Sequence, residues 1–245
     1  MNSKEGMCLV SGFLLASCVS QELPRVPAGY VDYDYRLQEK PAAPSLEKVI
    51  TTTTCEQKAV EEKKYPITTE YRALLNTIAW AEGTDCHYNM MAGRMLFTDY
   101  SAHPIETGEM PKTGTPFRVR WRTLHTTAAG RYQFLHRTYT TLKNEAGLFQ
   151  TGFNPEEQDK AAKYLIEKQN ISPEILDEAV KTKNFTEVWN NLSWIWASLP
   201  CDESKKPRRE QRRCHKDRGR YGQFAHQQEN VEKIFFIFYE TNNRE

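Results

Sequence analysis

The sequence has no apolar run of the roughly 18–20 residues that a membrane-spanning helix needs, so none of its 245 residues is read as a transmembrane segment. Charge of one sign is also missing: 33 Lys and Arg stand against 32 Asp and Glu. A net charge of +1 does not suit a protein built to coat nucleic acid. The six histidines form no HExxH pattern and the six cysteines no paired CxxC, which removes the usual zinc amidase and peptidase signatures. No GxSxG nucleophile elbow and no internal repeat is present, so a serine hydrolase of that type and a solenoid are set aside as well. Neither a metal nor a cofactor is expected.

What the chain does have begins at its front. Residues Met7 to Ala16 form an apolar stretch of signal-peptide length, and Leu15, Ala16 and Ser17 precede Cys18. That segment resembles the lipobox of bacterial lipoproteins, in which the cysteine is acylated and becomes the new N-terminus. The resemblance implies a signal peptide over 1–17, membrane attachment through a lipid on Cys18 and, with Val19 rather than aspartate following, a periplasmic protein anchored to the outer membrane. Residues 18–66 are rich in Pro, Thr and charge without helical or strand periodicity and read as a flexible tether. In an oxidising compartment Cys55, Cys86, Cys201 and Cys214 can form two disulfides in any of three pairings. Cys201 with Cys214 is favoured because they flank one polar segment, which leaves Cys55 with Cys86. An oxidised Cys86 also disfavours a cysteine peptidase built on it.

A domain over 67–242 starts where the pattern changes, at "TTEYRALLNTIAWAEGT". Thr68 or Thr69 can cap a helix, and Tyr71, Leu74, Leu75, Ile78 and Ala79 follow at helical spacing. Glu82 is the next member of that series, four residues beyond Ile78, with Gly83 placed to end the helix. Burial and the negative end of the helix dipole both disfavour a charged carboxylate there, so the pKa of Glu82 is expected to rise. A carboxyl that is protonated near neutral pH can donate to a glycosidic oxygen. Pairing with a buried arginine or with backbone amides explains such a glutamate equally well.

Further along, "FRVRWRT" alternates as a half-buried strand, with Phe117, Val119 and Trp121 on one side and Arg118, Arg120 and Arg122 on the other. Partner strands are expected around Gly93. Beyond Gly130 the chain reads as helical, with start signals at Asn154-Pro155 and Ser172-Pro173. A helix through "FTEVWNNLSWIWASLP" would put Val188, Leu192, Ile195 and Trp196 on one side. The apolar run in "ENVEKIFFIFYE" fits a helix or a strand. Residues 201–220 carry nine Lys or Arg against four Asp or Glu and read as a basic surface insertion.

Five stretches, "IAWAEGTD", "LFTDYSAHP", "AAGRYQFL", "IWASLP" and "YGQFAH", resemble in order the lambda-type phage endolysins, lytic transglycosylases with a lysozyme-like fold. The resemblance implies an α+β, mainly helical, two-lobed fold with a small β-sheet beside a cleft. It places the family's catalytic glutamate on Glu82, as acid and then base in cleaving the MurNAc-GlcNAc β-1,4 bond with formation of 1,6-anhydroMurNAc. It also sets Tyr132, Gln133, Ser198, Tyr221 and Gln223 around the cleft, with Tyr100 and Trp196 as further candidates for contact with peptidoglycan glycan strands.

A hydrolytic lysozyme needs a second carboxylate, and Asp85 and Asp99 are the nearest in sequence. A non-catalytic peptidoglycan-binding protein is the alternative from another class. This chain departs from the family by a shorter segment between Asp85 and Tyr88, a longer region from Glu106 to Thr123 and the basic insertion, which could meet an envelope protein partner.

Overall fold

The computed structural model describes residues 67–119, 122–201 and 226–243, with no side-chain description for 117–119 and 122. These residues belong to one compact unit. The expected signal peptide, the tether, Cys18, Cys55, Cys214, Tyr221, Gln223 and all of the basic insertion except Cys201 lie outside them.

Seven helices and four short strands are described: α1 (Thr69–Ala81), β1 (Met90–Met91), β2 (Met95–Leu96), α2 (Pro104–Thr107), β3 (Thr115–Val119), β4 (Arg122–Thr126), α3 (His136–Glu145), α4 (Pro155–Lys168), α5 (Pro173–Thr182), α6 (Thr186–Leu192) and α7 (Gln228–Asn242). The fold is α+β and mainly helical, with two separate two-stranded antiparallel sheets, β1-β2 and β3-β4.

Helix α1 is central. Thr68 caps it by accepting from the Tyr71 N–H. Its buried positions include Tyr71, Ala73, Leu74, Leu75, Thr77, Ile78, Ala79 and Ala81, more than the one stripe that periodicity marks, because other helices cover it. It packs chiefly on α7 and also on α4 and α5. Each large aliphatic side chain buried there contributes roughly 1.5–3 kcal/mol. The Tyr71 hydroxyl donates to the Ile171 carbonyl at 2.8 Å, tying the start of α1 to the approach to α5.

Proline at the first helical position and a polar cap start α4 and α5: Asn154 accepts from the Glu157 N–H and Ser172 from the Ile175 N–H. The ambiguous C-terminal run is helical, as α7, burying Val231, Ile234, Phe235 and Phe238. Three expectations change. The strands around Gly93, β1 and β2, pair with each other and not with the alternating stretch. The alternating stretch read as one strand is a hairpin, with Val119 opposite Arg122, because alternation marks exposure and not where the chain reverses. Helix α6 ends at Leu192, short of Ile195 and Trp196. There Ser193 Oγ donates back to the Asn190 carbonyl and the Trp194 and Ile195 N–H groups donate to residues three earlier, so the helix tightens into a turn.

Candidate active site

Glu82 is the C-terminal cap of α1, its N–H donating to the Ile78 carbonyl at 2.9 Å. Gly83 follows with φ of +70°, the left-handed conformation that closes a helix and that glycine adopts without steric cost. Glu82 is half-buried. Its hydrogen-bond partner is Ser198, whose Oγ donates to Oε1 at 2.6 Å. Burial pushes the Glu82 carboxyl up to about 7, and the Ser198 hydroxyl, which stabilises the anion, opposes that rise. Such a group exchanges a proton near neutrality.

The turn after Glu82 is fixed from beneath. The Thr84 hydroxyl bonds the carbonyls of Ala79 and Arg131, and Arg131 Nε donates to the Asp85 carbonyl at 2.9 Å. Arg131 is only 5% exposed. Its other donors reach Asn76 Oδ1 at 2.7 Å, the Tyr88 hydroxyl at 2.9 Å and the Tyr132 hydroxyl at 3.3 Å. Both tyrosines in turn donate to Asp159, Tyr132 at 2.6 Å and Tyr88 at 2.9 and 3.0 Å. Burial raises Asp159, while the Arg131 charge and the two hydroxyls pull it back.

Gly130 lets this turn approach α4: a Cβ there would run into the Gln158 amide and the Phe153 ring. Gln158 instead accepts from the Arg131 N–H at 2.8 Å and donates to the carbonyls of Tyr88 and Phe153.

Two residues expected to meet sugar, Tyr132 and Trp196, are buried. Tyr132 has no exposed surface; its ring packs edge-on against Tyr88 and Phe134, so it has no free face for a sugar. Trp196 is 3% exposed, and its indole N–H donates to the Tyr132 carbonyl at 3.0 Å, pinning the Ser198 turn to the Arg131 segment. Gln133 is half-buried and its amide donates to the carbonyls of Met90 and Gly130, leaving its oxygen for other partners. Tyr100 is half-buried against Phe97.

Asp85 and Asp99 are both exposed. Asp99 accepts from the Ser101 N–H at 2.8 Å, a turn-forming role, and the Ser101 side chain and backbone together lower its pKa. Cys86 and Cys201 are each disulfide-bonded. Among the described residues no group of three or more His, Cys, Asp or Glu could hold a metal ion.

Three residues went unnoticed in the sequence: Arg131, Asp159 and His226. Arg131 lies within the quoted "AAGRYQFL" and His226 within "YGQFAH", so membership of those stretches was the available signal.

A sequence model described as Endolysin matches residues 72–236. The chain is 33% identical over 143 residues to the endolysin of Escherichia phage lambda, covering 55% of this chain and 79% of that protein. It is 30% identical over 140 residues to the endolysin of Escherichia phage P2, covering 52% and 78% respectively. Among solved structures, bacteriophage lambda lysozyme complexed with a chitohexasaccharide superposes with a TM-score of 0.50 at 26% identity, covering 70% of this chain and 95% of that one. The fold is lysozyme-like.

Proposed function

The chain belongs to the endolysin family, and we propose that it is a peptidoglycan-cleaving enzyme of the lytic transglycosylase type with Glu82 as its acid and base. The observation that carries this reading is the Glu82 carboxyl at the end of α1, which accepts from the Ser198 hydroxyl and is pushed up to about 7. A protonated Glu82 gives its proton to the glycosidic oxygen as the bond from that oxygen to muramic C1 breaks. The resulting carboxylate accepts the proton of the muramic C6 hydroxyl while O6 bonds to C1. The enzyme recovers its proton, no water is consumed, and a 1,6-anhydro sugar results.

The placement of the two rival aspartates supports this over hydrolysis. Asp99 accepts from the Ser101 N–H within its own turn, and Asp85 is exposed just beyond the helix end. The chitohexasaccharide held by bacteriophage lambda lysozyme supports glycan strands as the substrate class. The lipobox-like Cys18 supports an outer-membrane lipoprotein facing the periplasm, and the oxidised Cys86 and Cys201 agree with that compartment. The basic insertion is the segment proposed to meet an envelope partner.

Digestion of purified peptidoglycan by the protein and by Glu82→Gln, with mass analysis of the released muropeptides, tests the activity. Anhydro-muropeptides from the wild type alone are expected. Reducing-end products would mean hydrolysis, and binding to sacculi without release by either protein would mean a non-catalytic role.

A further inference from the structure

The last carbonyls of a helix lack intrahelical partners, and at the end of α1 most find one close by. Trp80 O accepts from the Gly83 N–H at 3.0 Å, and Ala79 O from the Thr84 N–H and hydroxyl, both at 3.0 Å. The carbonyl of Ala81, part of the peptide that leads into Glu82, is reached from 145 residues away: it lies 3.3 Å from Nε2 of His226. A carbonyl only accepts, so His226 carries its proton on Nε2. The imidazole lies against the Trp80 ring with 4.4 Å between centroids, which fixes its plane. Burial holds His226 below its usual pKa, favouring the neutral form.

The same residue makes a second tie. Its backbone N–H donates to the Ser198 carbonyl at 3.0 Å. Ser198 is the residue whose hydroxyl meets Glu82. His226 therefore grips both sides of the Glu82-Ser198 hydrogen bond: the ring holds the peptide entering Glu82, and the backbone holds the peptide leaving Ser198.

We propose that His226 is a positioning residue for Glu82, locking the Ser198 hydroxyl and the carboxyl into one geometry by bridging the end of α1 to the Ser198 turn. The inference rests on the reading of Glu82 as the proton donor. A histidine that only fills space against Trp80 would give stability without setting that geometry.

Steady-state cleavage of soluble glycan strands by the full chain, across pH, separates the two roles. The variants are His226→Phe, His226→Gln, Ser198→Ala, the Ser198→Ala/His226→Phe double variant and Glu82→Gln. His226→Phe keeps a ring against Trp80 but loses the donor; kcat is expected to fall about tenfold with KM within about twofold. The alkaline limb of its kcat profile is expected to rise by about half a pH unit, in the same direction as for Ser198→Ala, because a carboxylate that loses a donor is less stabilised. His226→Gln, which keeps an N–H donor, is expected to recover to within about threefold of wild type, and the double variant to be no worse than the poorer single one.

The proposal is overturned if His226→Phe leaves the limb in place while Ser198→Ala moves it, if Gln and Phe behave alike, or if the two substitutions add fully. Independently of whether His226→Phe folds, 15N NMR of the wild-type imidazole must find the proton on Nε2; the Nδ1–H tautomer would refute the bridge. Activity surviving in Glu82→Gln would instead refute the proton-donor reading itself.

Discussion

Glu82 and Asp159 are both half-buried, and the surroundings of their carboxyl groups differ. Asp159 accepts from two tyrosine hydroxyls and faces the Arg131 guanidinium across them; among the described residues Glu82 has one serine hydroxyl. Burial raises both, but around Asp159 opposite charge and two donors work against it, whereas around Glu82, among the described residues, only Ser198 does. A buried carboxylate with a cation and several donors is a structural anion. A buried carboxyl with one neutral donor is a proton carrier. The two are linked: the Arg131 that balances Asp159 also holds the Asp85 carbonyl, so the compensated cluster anchors the turn that presents the uncompensated acid.

Four substitutions set the two regions apart. The largest effect is expected at Glu82: Glu82→Gln should lower glycan cleavage by about a thousandfold, the scale of general acid–base catalysis, while circular dichroism stays that of the wild type. Next comes the other carboxyl's partner. Arg131→Met removes the stronger of the two cations that act on Asp159, leaving Arg72, and should cost about 3–5 kcal/mol of stability in denaturant unfolding; a loss below about 1 kcal/mol would mean that Arg72 and the hydroxyls sustain that anion.

Third is the cost of keeping Glu82 uncompensated. Its folded pKa of about 7 lies above the ordinary 4.5, so between those values the folded protein holds a proton that the unfolded chain releases. Stability therefore falls as pH rises through that window, and the full penalty is present above it. Glu82→Gln removes the penalty. The variant should be more stable than wild type at about pH 8, by at most about 3 kcal/mol less whatever solvent at the open edge screens, and the gain should vanish at about pH 4. Thermal unfolding at the two pH values measures it. The smallest effect is expected at the rival acids: Asp85→Asn and Asp99→Asn should each leave cleavage within about twofold, and a drop of about a hundredfold in either would restore the hydrolytic mechanism.

Sequence pattern reached the reactive carboxyl but not its setting. Helix phase from Leu74 to Ile78, followed by glycine, isolates Glu82, and the caps at Thr68, Asn154 and Ser172 are local signals that the structure reproduces. The Arg131-Tyr88-Tyr132-Asp159 cluster joins segments far apart in sequence, so no spacing reveals it. Tyr132 illustrates the cost: next to Gln133 in a cleft-lining stretch it reads as a sugar platform, yet its hydroxyl has buried partners that draw the whole ring inside. Burial of a polar-tipped aromatic is decided by what its hydroxyl meets. His226 was hidden for the same reason, since its partners Ala81 and Ser198 come together only in the fold.

The most direct measurement is a titration of the Glu82 side-chain carbon by 13C NMR in the uncomplexed protein. The account predicts a midpoint near 7. A Glu82 midpoint at or below about 5, the ordinary range for an exposed glutamate, would contradict it.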